Sequence, residues 1–281
     1  MNFNWSNTSL MGAGSKLAPL LHACRLDQRF SYYLYLPKGF HPVKQPAENL
    51  LIVIHGTFRD AESTKNAFIP FADKTNSVVL APLFPTGIVD SEDIHNYKFI
   101  KFHDIRFDEI VLDMVSEITE AFHLRPKRTM LYGFSGGGQF AHRFLYLHPE
   151  LLHSAVIGSP GRVTYLDPEE GWYAGIGDFE EQFGKPLDLK GLKKPKILLF
   201  VGGNDTESIE MSGDESGSVA VDKFGSNRLE RLEALYGNYK DYGMDVRFEI
   251  VPGVAHEEEK VTAVAADFFE QAISEEEKQD E

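Results

Sequence analysis

The 281-residue sequence has one cysteine, Cys24, and no apolar run near the roughly 20 residues that a membrane helix needs. One cysteine excludes an internal disulfide and is typical of a protein from a reducing compartment. Residues 1–14 do not combine a basic region with a following apolar run, so they do not read as a secretory signal. We therefore expect a cytoplasmic protein that acts away from membranes.

Basic charge is also scarce, because 28 Lys and Arg face 43 Asp and Glu and the formal net charge is −15. Nucleic-acid phosphates require a basic footprint, so a nucleic-acid partner is not expected. The sequence has no cysteine–histidine cluster and no H-E-x-x-H motif, and no Gly-Lys-Ser/Thr follows the glycines at 136–138. We expect no metal site and no cofactor, and a small molecule as the substrate.

Residues 133–137, Gly-Phe-Ser-Gly-Gly, fit the G-x-S-x-G motif that lifts a nucleophilic serine off the end of a strand. Residues 128–132 before the motif are typical of a buried strand, and residues 137–147 after it are typical of a helix. This is the strand–turn–helix context that the motif requires. The pattern predicts Ser135 as a nucleophile.

A serine hydroxyl needs a base to take its proton, and in folds with this turn the acid and then the histidine follow the serine. Four of the ten histidines follow Ser135. His142 and His148 fall on the next predicted helix, and His153 opens the next predicted strand. His256 lies in a loop between a predicted strand and a predicted helix, and it is the expected base.

Asp205 is the expected partner of the histidine. It follows the apolar run 196–201, which is typical of a parallel strand buried on both faces, and the carboxyl end of such a strand lies at the edge where ligands bind. An Asx turn or a helix cap is the alternative role for Asp205. Asp214 and Asp222 are reserve candidates for the acid.

The apolar run 49–54 is followed by His55, Gly56, Thr57 and Phe58. Enzymes with this nucleophile turn place one oxyanion donor in the loop after an early strand, and the residue after the nucleophile supplies the other. We assign the donors to the backbone N–H groups of Thr57 and Gly136, with Phe58 as the neighbouring possibility. His55 is expected to order this loop.

Together these motifs resemble those of an α/β-hydrolase, in particular the esterase and polyhydroxybutyrate-depolymerase-like branch. The resemblance extends over most of the chain through residues 30–37, 54–57, 133–137, 148–150, 202–205 and the loop of His256. It implies an α/β fold with a mostly parallel central sheet, helices on both faces and a short lid-like insertion. Secreted polymer depolymerases usually carry a signal peptide and disulfides, and neither is found here, which disfavours a polymer substrate.

The alternation of strands and helices runs without a linker, so residues 1–281 are interpreted as one domain. The predicted strands are 31–36, 49–54, 77–81, 128–132, 154–157, 196–201 and 246–250. The predicted helices are 106–122, 137–147, 227–239 and 260–272.

Four other segments have separate interpretations. Residues 161–195 are read as a lid or a long surface connection, and residues 206–225 as a mobile loop at the mouth of the site. Residues 97–103 alternate aromatic and basic side chains, which favours a half-buried strand over a pocket lining. The acidic residues 274–281 are expected to form a disordered tail.

The sequence therefore predicts a serine hydrolase that cleaves a small carboxylic ester or a lactone. Phe58, Gln139 and Trp172 are the candidate substrate contacts. An amidase or peptidase with the same triad, an acyl transferase and a non-catalytic ligand-binding protein remain alternatives.

Overall fold

The computed structural model describes residues 20–209 and 224–280. The strands in these residues, numbered along the chain, are β1 (Leu21–Ala23), β2 (Ser31–Tyr35), β3 (Asn49–Ile54), β4 (Ser77–Leu83), β5 (Lys101–Phe102), β6 (Ile105–Arg106), β7 (Arg128–Phe134), β8 (Ser154–Gly158), β9 (Lys196–Gly202) and β10 (Val246–Val251). Within the described part, eight of them form one sheet in the order β1-β2-β4-β3-β7-β8-β9-β10. The pairs β1–β2 and β2–β4 are antiparallel and the other pairs are parallel. A mostly parallel central sheet is therefore confirmed.

Helices cover both faces of this sheet. They are α1 (Ala61–Ala67), α2 (Ile69–Thr75), α3 (Phe107–Phe122), α4 (Gly136–Leu147), α5 (Phe179–Phe183), α6 (Arg228–Asp241) and α7 (Glu258–Asp280). Apolar residues of α3, α4 and α6 pack in the core on one face, and those of α1, α2 and α7 pack in the core on the other.

Strand β3 shows why the central strands are continuous apolar runs. Leu50, Ile52 and Ile54 belong to the core on one face, while Leu51 and Val53 belong to the core on the other. Successive side chains of a strand point to opposite faces, so the interior of a strand covered on both sides is apolar. The one polar residue of β3, Asn49 at its start, donates from Nδ2 to the carbonyl oxygen of Thr75. All six residues of β3 are buried.

The seven predicted strands are all present, with ends that differ by at most two residues. Strand β1 and the helices α1 and α2 were not predicted. Strand β1 has three residues with an exposed–intermediate–exposed burial pattern, and α1 is largely polar, so neither has a strong apolar period. Helix α1 is fixed by its cap, because the side chain of Asp60 accepts a hydrogen bond from the N–H of Ser63.

The prediction of a half-buried strand at residues 97–103 is wrong for most of these residues. Asn96–Phe99 form a 3₁₀ turn, and only Lys101–Phe102 are extended. The carboxylate of Asp93 accepts from the N–H groups of His95 and Asn96, which satisfies the start of the turn locally.

Residues 274–280 are helical, whereas a disordered tail was expected there. They form the last turns of α7, and the side chains of Glu275 and Glu276 meet basic residues at or near the starts of three strands. Glu276 pairs with Arg128 of β7, and Glu275 pairs with Lys196 of β9 and Arg247 of β10 at 2.7 and 3.1 Å. Ion pairs with distant strands thus fix a segment whose composition alone favours disorder.

The pair between Arg128 and Glu276 gives a test of this arrangement. Burial opposes ionisation of Glu276, but the hydrogen bond from Arg128 together with the charges of His153, Arg128 and Lys196 outweighs it and lowers the Glu276 pKa. Because the variant Glu276→Gln leaves the nearly buried Arg128 without this partner, it should lower the free energy of unfolding at pH 7 by about 0.5–1 kcal/mol. A carboxylate with a lowered pKa stabilises the fold above its unfolded pKa and loses this effect as pH falls through its folded pKa, so the difference should shrink below about pH 4.

Urea unfolding at pH 7 and pH 3.5 measures both effects. The matched control is Glu277→Gln, since Glu277 is more exposed and its oxygen lies 3.5 Å from Arg128. Equal losses for the two variants would contradict the assignment.

Candidate active site

Ser135 lies in a strained turn between β7 and α4, with φ of 54° and ψ of −114°. The turn is possible because β7 and α4 cross in backbone contact. A Cβ on Gly133 would overlap the carbonyl oxygen of Gly137, and a Cβ on Gly137 would overlap that of Ile54. The glycines of the motif are therefore sterically required, and Ser135 is held at the carboxyl end of β7.

Ser135, His256 and Asp205 form one hydrogen-bonded chain. The Oγ of Ser135 lies 2.9 Å from Nε2 of His256, and Nδ1 of His256 lies 2.7 Å from Oδ2 of Asp205. An ionised carboxylate can only accept a hydrogen bond, so Nδ1 carries the imidazole proton and Nε2 accepts from the serine hydroxyl. In sequence, Ser135 lies 121 positions and Asp205 lies 51 positions before His256. The fold thus brings the three residues into the arrangement expected of a nucleophile, a base and an orienting acid.

Asp205 is 1% exposed and follows the end of β9. Its second oxygen, Oδ1, accepts a hydrogen bond of 3.0 Å from Arg228 at the start of α6. Burial opposes ionisation of Asp205, but the hydrogen bond from His256 and the charges of His256 and Arg228 outweigh it and lower the Asp205 pKa. The acid is therefore a carboxylate at neutral pH. The role of Arg228 was missed, since nothing in the sequence relates it to Asp205.

The other candidate histidines have separate partners. In His142, Nε2 accepts from the N–H of Thr164 and Nδ1 lies 2.8 Å from the carbonyl oxygen of Gly138, while burial holds its pKa well below the usual value. His148 contacts the carboxylate of Asp108 at 2.9 Å. His256 is the histidine that the structure brings to Ser135.

The loop after β3 brings Thr57 close to the turn that carries Ser135. A Cβ on Gly136 would lie 3.1 Å from the backbone nitrogen of Thr57. Among the described residues, neither the N–H of Thr57 nor the N–H of Gly136 donates a hydrogen bond. Two neighbouring unpaired donors beside a serine hydroxyl have the arrangement of an oxyanion hole.

His55 orders this loop. Its Nε2 accepts from the N–H of Phe84 at 3.1 Å, so Nδ1 carries the proton and donates to the carbonyl oxygen of Gly56 at 2.8 Å. Burial lowers the His55 pKa to about 4, which keeps the ring neutral. His55 joins β3 to the segment after β4.

Arg59 holds the same loop and was not predicted. Its guanidinium donates to the carbonyl oxygens of Thr57, Phe84 and Ile94, and its backbone has a φ of 61°. The planar fork of an arginine suits contacts to several carbonyl groups at once. The peptide between Thr57 and Phe58, which follows the Thr57 N–H, is thus held by a side chain two residues further along the loop.

Several solved structures share this architecture. Poly(aspartic acid) hydrolase-1 from Sphingomonas sp. KT-1 matches with a TM-score of 0.68 at 22% identity, over 85% of this chain and 92% of that chain. A poly(3-hydroxybutyrate) depolymerase from Bordetella parapertussis matches with a TM-score of 0.69 at 21% identity, over 85% and 83% of the two chains. An S-formylglutathione hydrolase from Agrobacterium tumefaciens matches with a TM-score of 0.57 at 16% identity, over 90% and 92%.

The chain has the α/β-hydrolase fold. This confirms the expected resemblance at the level of fold. No model of a known protein family matches the sequence, and no curated protein matches it.

The three predicted substrate contacts lie in different surroundings. Phe58, beside Thr57, is 97% exposed. Gln139 is nearly buried in the first turn of α4, where its Nε2 would lie 3.4 Å from a Cβ on Gly161. Trp172 donates from Nε1 to the carbonyl oxygen of Phe99 at 3.3 Å. Their contact with substrate stays a prediction.

The segment 161–195 packs against the turn formed by Asn96–Phe99. The ring of Phe99 lies 4.6 Å from that of Tyr173, and the ring of Trp172 lies 4.8 Å from that of Phe183. Its aromatic residues Tyr165, Tyr173, Phe179 and Phe183 are buried. A lid role for this segment stays a prediction.

The reserve acids at positions 214 and 222, and most of the loop expected at 206–225, lie outside the described residues.

The groups with metal-binding character in the described residues are Cys24, Asp113 and Glu117, whose ligand atoms lie within 4.8 Å of one another. Burial raises the Cys24 pKa to about 11, so the thiol stays protonated, and Glu117 accepts a hydrogen bond from Tyr32. A protonated thiol is a poor metal ligand.

The residues described also include no helix both long and apolar enough to cross a bilayer.

The contacts of Arg59 predict how this residue affects the serine. The variant Arg59→Met removes the donors to the carbonyl oxygens of Thr57, Phe84 and Ile94, which hold the loop that carries the Thr57 N–H. Ser135 should therefore react about 10- to 100-fold more slowly with a fluorophosphonate, whose phosphoryl oxygen needs the N–H groups of Thr57 and Gly136. The rate of labelling is measured by quenching the reaction at a series of times and recording the intact-protein mass of each sample. The control is Arg29→Met, since Arg29 is exposed and pairs locally with Asp27. Equal rates for the two variants would show that Arg59 does not position the loop.

Proposed function

We propose that this protein is a serine hydrolase that cleaves a small carboxylic ester or a lactone through an acyl-enzyme. The observation that carries the proposal is the chain from Ser135 through His256 to Asp205, with contacts of 2.9 and 2.7 Å, beside two backbone N–H groups without partners among the described residues. Neighbours named as hydrolases of poly(aspartic acid) and S-formylglutathione and as a depolymerase of poly(3-hydroxybutyrate) support hydrolysis and leave the substrate open.

The first half of the reaction forms the acyl-enzyme. His256 takes the hydroxyl proton through Nε2 as Ser135 Oγ attacks the substrate carbonyl carbon, and the carbonyl oxygen becomes an oxyanion. The N–H groups of Thr57 and Gly136 donate to that oxyanion. The imidazolium of His256, held by the Asp205 carboxylate, then gives its proton to the leaving oxygen as the ester bond breaks.

The second half releases the acyl group. Water takes the place of the leaving group, and His256 removes a proton from it as its oxygen attacks the acyl carbon. The second oxyanion collapses, the bond to Ser135 Oγ breaks, and His256 returns the proton to the serine. Arg228 contributes by donating to Oδ1 of Asp205, which leaves Oδ2 to hold the imidazole of His256.

The backbone of Gly136, beside the nucleophile, is closely packed. The hydroxyl of Tyr97 and the Cε of Lys98 lie 2.5 and 2.9 Å from the position of a Cβ on Gly136. A panel of esters of graded acyl length is therefore used to find the substrate class. An amidase or peptidase would use the same groups, and a panel of matched p-nitrophenyl esters and p-nitroanilides separates these activities.

The first experiment measures intact-protein mass after incubation with a fluorophosphonate. We expect one adduct on the wild type and none on Ser135→Ala, because only an activated serine beside oxyanion donors reacts. Hydrolysis of p-nitrophenyl esters of increasing chain length and of lactones then identifies the substrate class. A folded wild-type protein that forms no adduct would refute the serine-hydrolase proposal.

The orienting role of Asp205 predicts the effect of a nearly isosteric change. The variant Asp205→Asn should lower kcat on the order of 10³- to 10⁴-fold, because an amide can donate to His256 and favour the wrong tautomer. The control is Asp73→Asn, since Asp73 is hydrogen-bonded to Tyr35 far along the sheet. Ester hydrolysis and circular dichroism measure activity and fold. Full activity of Asp205→Asn would exclude it as the orienting acid.

A further inference from the structure

Lys98 is buried beside the proposed oxyanion hole. It is 2% exposed and lies in the turn Asn96–Phe99. Its Nζ contacts Nδ1 of His95 at 2.9 Å, and among the described residues no carboxylate pairs with it. A lysine side chain is almost never fully buried without a paired charge, because removing an ammonium group from water is costly.

The charges around Lys98 increase that cost. Arg59, Arg143 and Arg162 all act on it with positive charge, and Asp93 opposes them. Burial is the main cause that lowers the Lys98 pKa to about 7, and these arginines contribute to the decrease. In a chain with a net charge of −15, positive charge is concentrated next to the nucleophile.

Arg143 adds a second buried positive charge close to Lys98. It is fully buried on α4, donates to the carbonyl oxygen of Lys98 and to Thr164 Oγ1, and one of its terminal nitrogens has no hydrogen-bond partner in the described part of the chain. Burial is the first cause that lowers its pKa, to about 9. Packing alone does not account for two buried cations in contact through one backbone carbonyl.

The position of Lys98 relative to the oxyanion donors is close. Its Cε and the backbone nitrogen of Thr57 lie 2.9 and 3.1 Å from the same point, the position of a Cβ on Gly136, and are therefore no more than 6.0 Å apart. The ammonium group, one bond beyond Cε, is within range of a charge formed between Thr57 and Gly136. In a buried setting, two unit charges at such a separation interact strongly compared with the same charges in water.

We propose that the Lys98 ammonium is a fixed positive charge that stabilises the oxyanion formed at the N–H groups of Thr57 and Gly136. This inference rests on the proposed serine-hydrolase function. The lysine keeps its proton throughout the reaction, so no bond to it forms or breaks. A carboxylate of the substrate is the other anion to consider, but Lys98 is closed off from solvent and its own stem occupies the space beside Gly136.

The proposal gives the activity a distinctive pH dependence. The charged form of Lys98 is required, so kcat should fall as pH rises through the Lys98 pKa of about 7. The groups that face Lys98 are His95, Arg59, Arg143, Arg162 and Asp93.

The test compares kcat, KM and the pH profile from pH 5.5 to 9 for ester hydrolysis by the wild type, Lys98→Met and Lys98→Arg. We expect Lys98→Met to lower kcat about 10- to 100-fold at pH 6.5 with KM changed less than about twofold, and to lose the alkaline decline. Lys98→Arg keeps a charge that does not titrate in this range, so it should retain most of kcat and also lose the alkaline decline.

Melting temperature separates this role from a structural one. A lysine whose pKa is lowered by folding destabilises the protein while charged, below that pKa, so Lys98→Met should melt at the wild-type temperature or above it at pH 6.5. The matched control is Lys65→Met. Lys65 is also 2% exposed with a pKa lowered by burial, but it lies on α1 over the ring of Tyr33. It should leave kcat and the pH profile unchanged.

Several results would overturn the inference. An unchanged kcat for Lys98→Met, or a reduced kcat that keeps the alkaline decline, removes Lys98 from the reaction. A raised KM confined to esters with a carboxylate in the acyl group would make Lys98 a substrate-binding residue instead. A fluorophosphonate adduct on wild-type Ser135 combined with any of these results overturns this inference alone, whereas no adduct overturns the serine-hydrolase proposal as well.

Discussion

The arrangement of the candidate site depends on one steric constraint, the backbone contact between β7 and α4 on either side of Ser135. Gly133 and Gly137 pass carbonyl groups of the helix and of β3 at distances that no side chain permits. That contact keeps Ser135 at a φ of 54° and directs its hydroxyl out of the end of the sheet. It also leaves the N–H of Gly136 without a partner among the described residues, next to the loop after β3. The strained backbone of Ser135, the direction of its hydroxyl and the position of the Gly136 N–H therefore have a common cause.

The remaining groups reach the serine because parallel strands bring their carboxyl ends to one edge. Thr57 follows β3, Ser135 follows β7, Asp205 follows β9 and His256 follows β10, and these strands lie within a run of five neighbours in the sheet. Each group thus needs only a short loop to reach the others. Rigid strands of the core determine the spacing, while loops supply the chemistry.

Electrostatics around the site differ from those of the rest of the chain. The protein carries an excess of acid, yet Lys98 and Arg143 are buried, and Arg59 is half-buried, near the turn of Ser135. Arg59 is occupied by three carbonyl oxygens, while Lys98 has an imidazole nitrogen as its hydrogen-bond partner. Buried cations of this kind lower stability and are typical of sites where negative charge develops.

The motif around Ser135, the apolar central strands and the order of serine, acid and histidine were all evident in the sequence, because each depends on local steric or hydrophobic requirements. Buried, mostly apolar runs predicted β3, β7 and β9, and the ends of these strands then indicated Thr57, Ser135 and Asp205. The helix at 274–280 and the 3₁₀ turn at 96–99 were not predicted, since ion pairs with Arg128 and Lys196 and the cap from Asp93 outweigh local composition. Arg59, Lys98 and Arg228 were also missed, because a cation has no sequence signature for the carbonyl, imidazole or carboxylate that it meets across the fold. Local sequence determined the strained turn of Ser135 and the layers of the fold, and only tertiary packing decided which charges surround that serine.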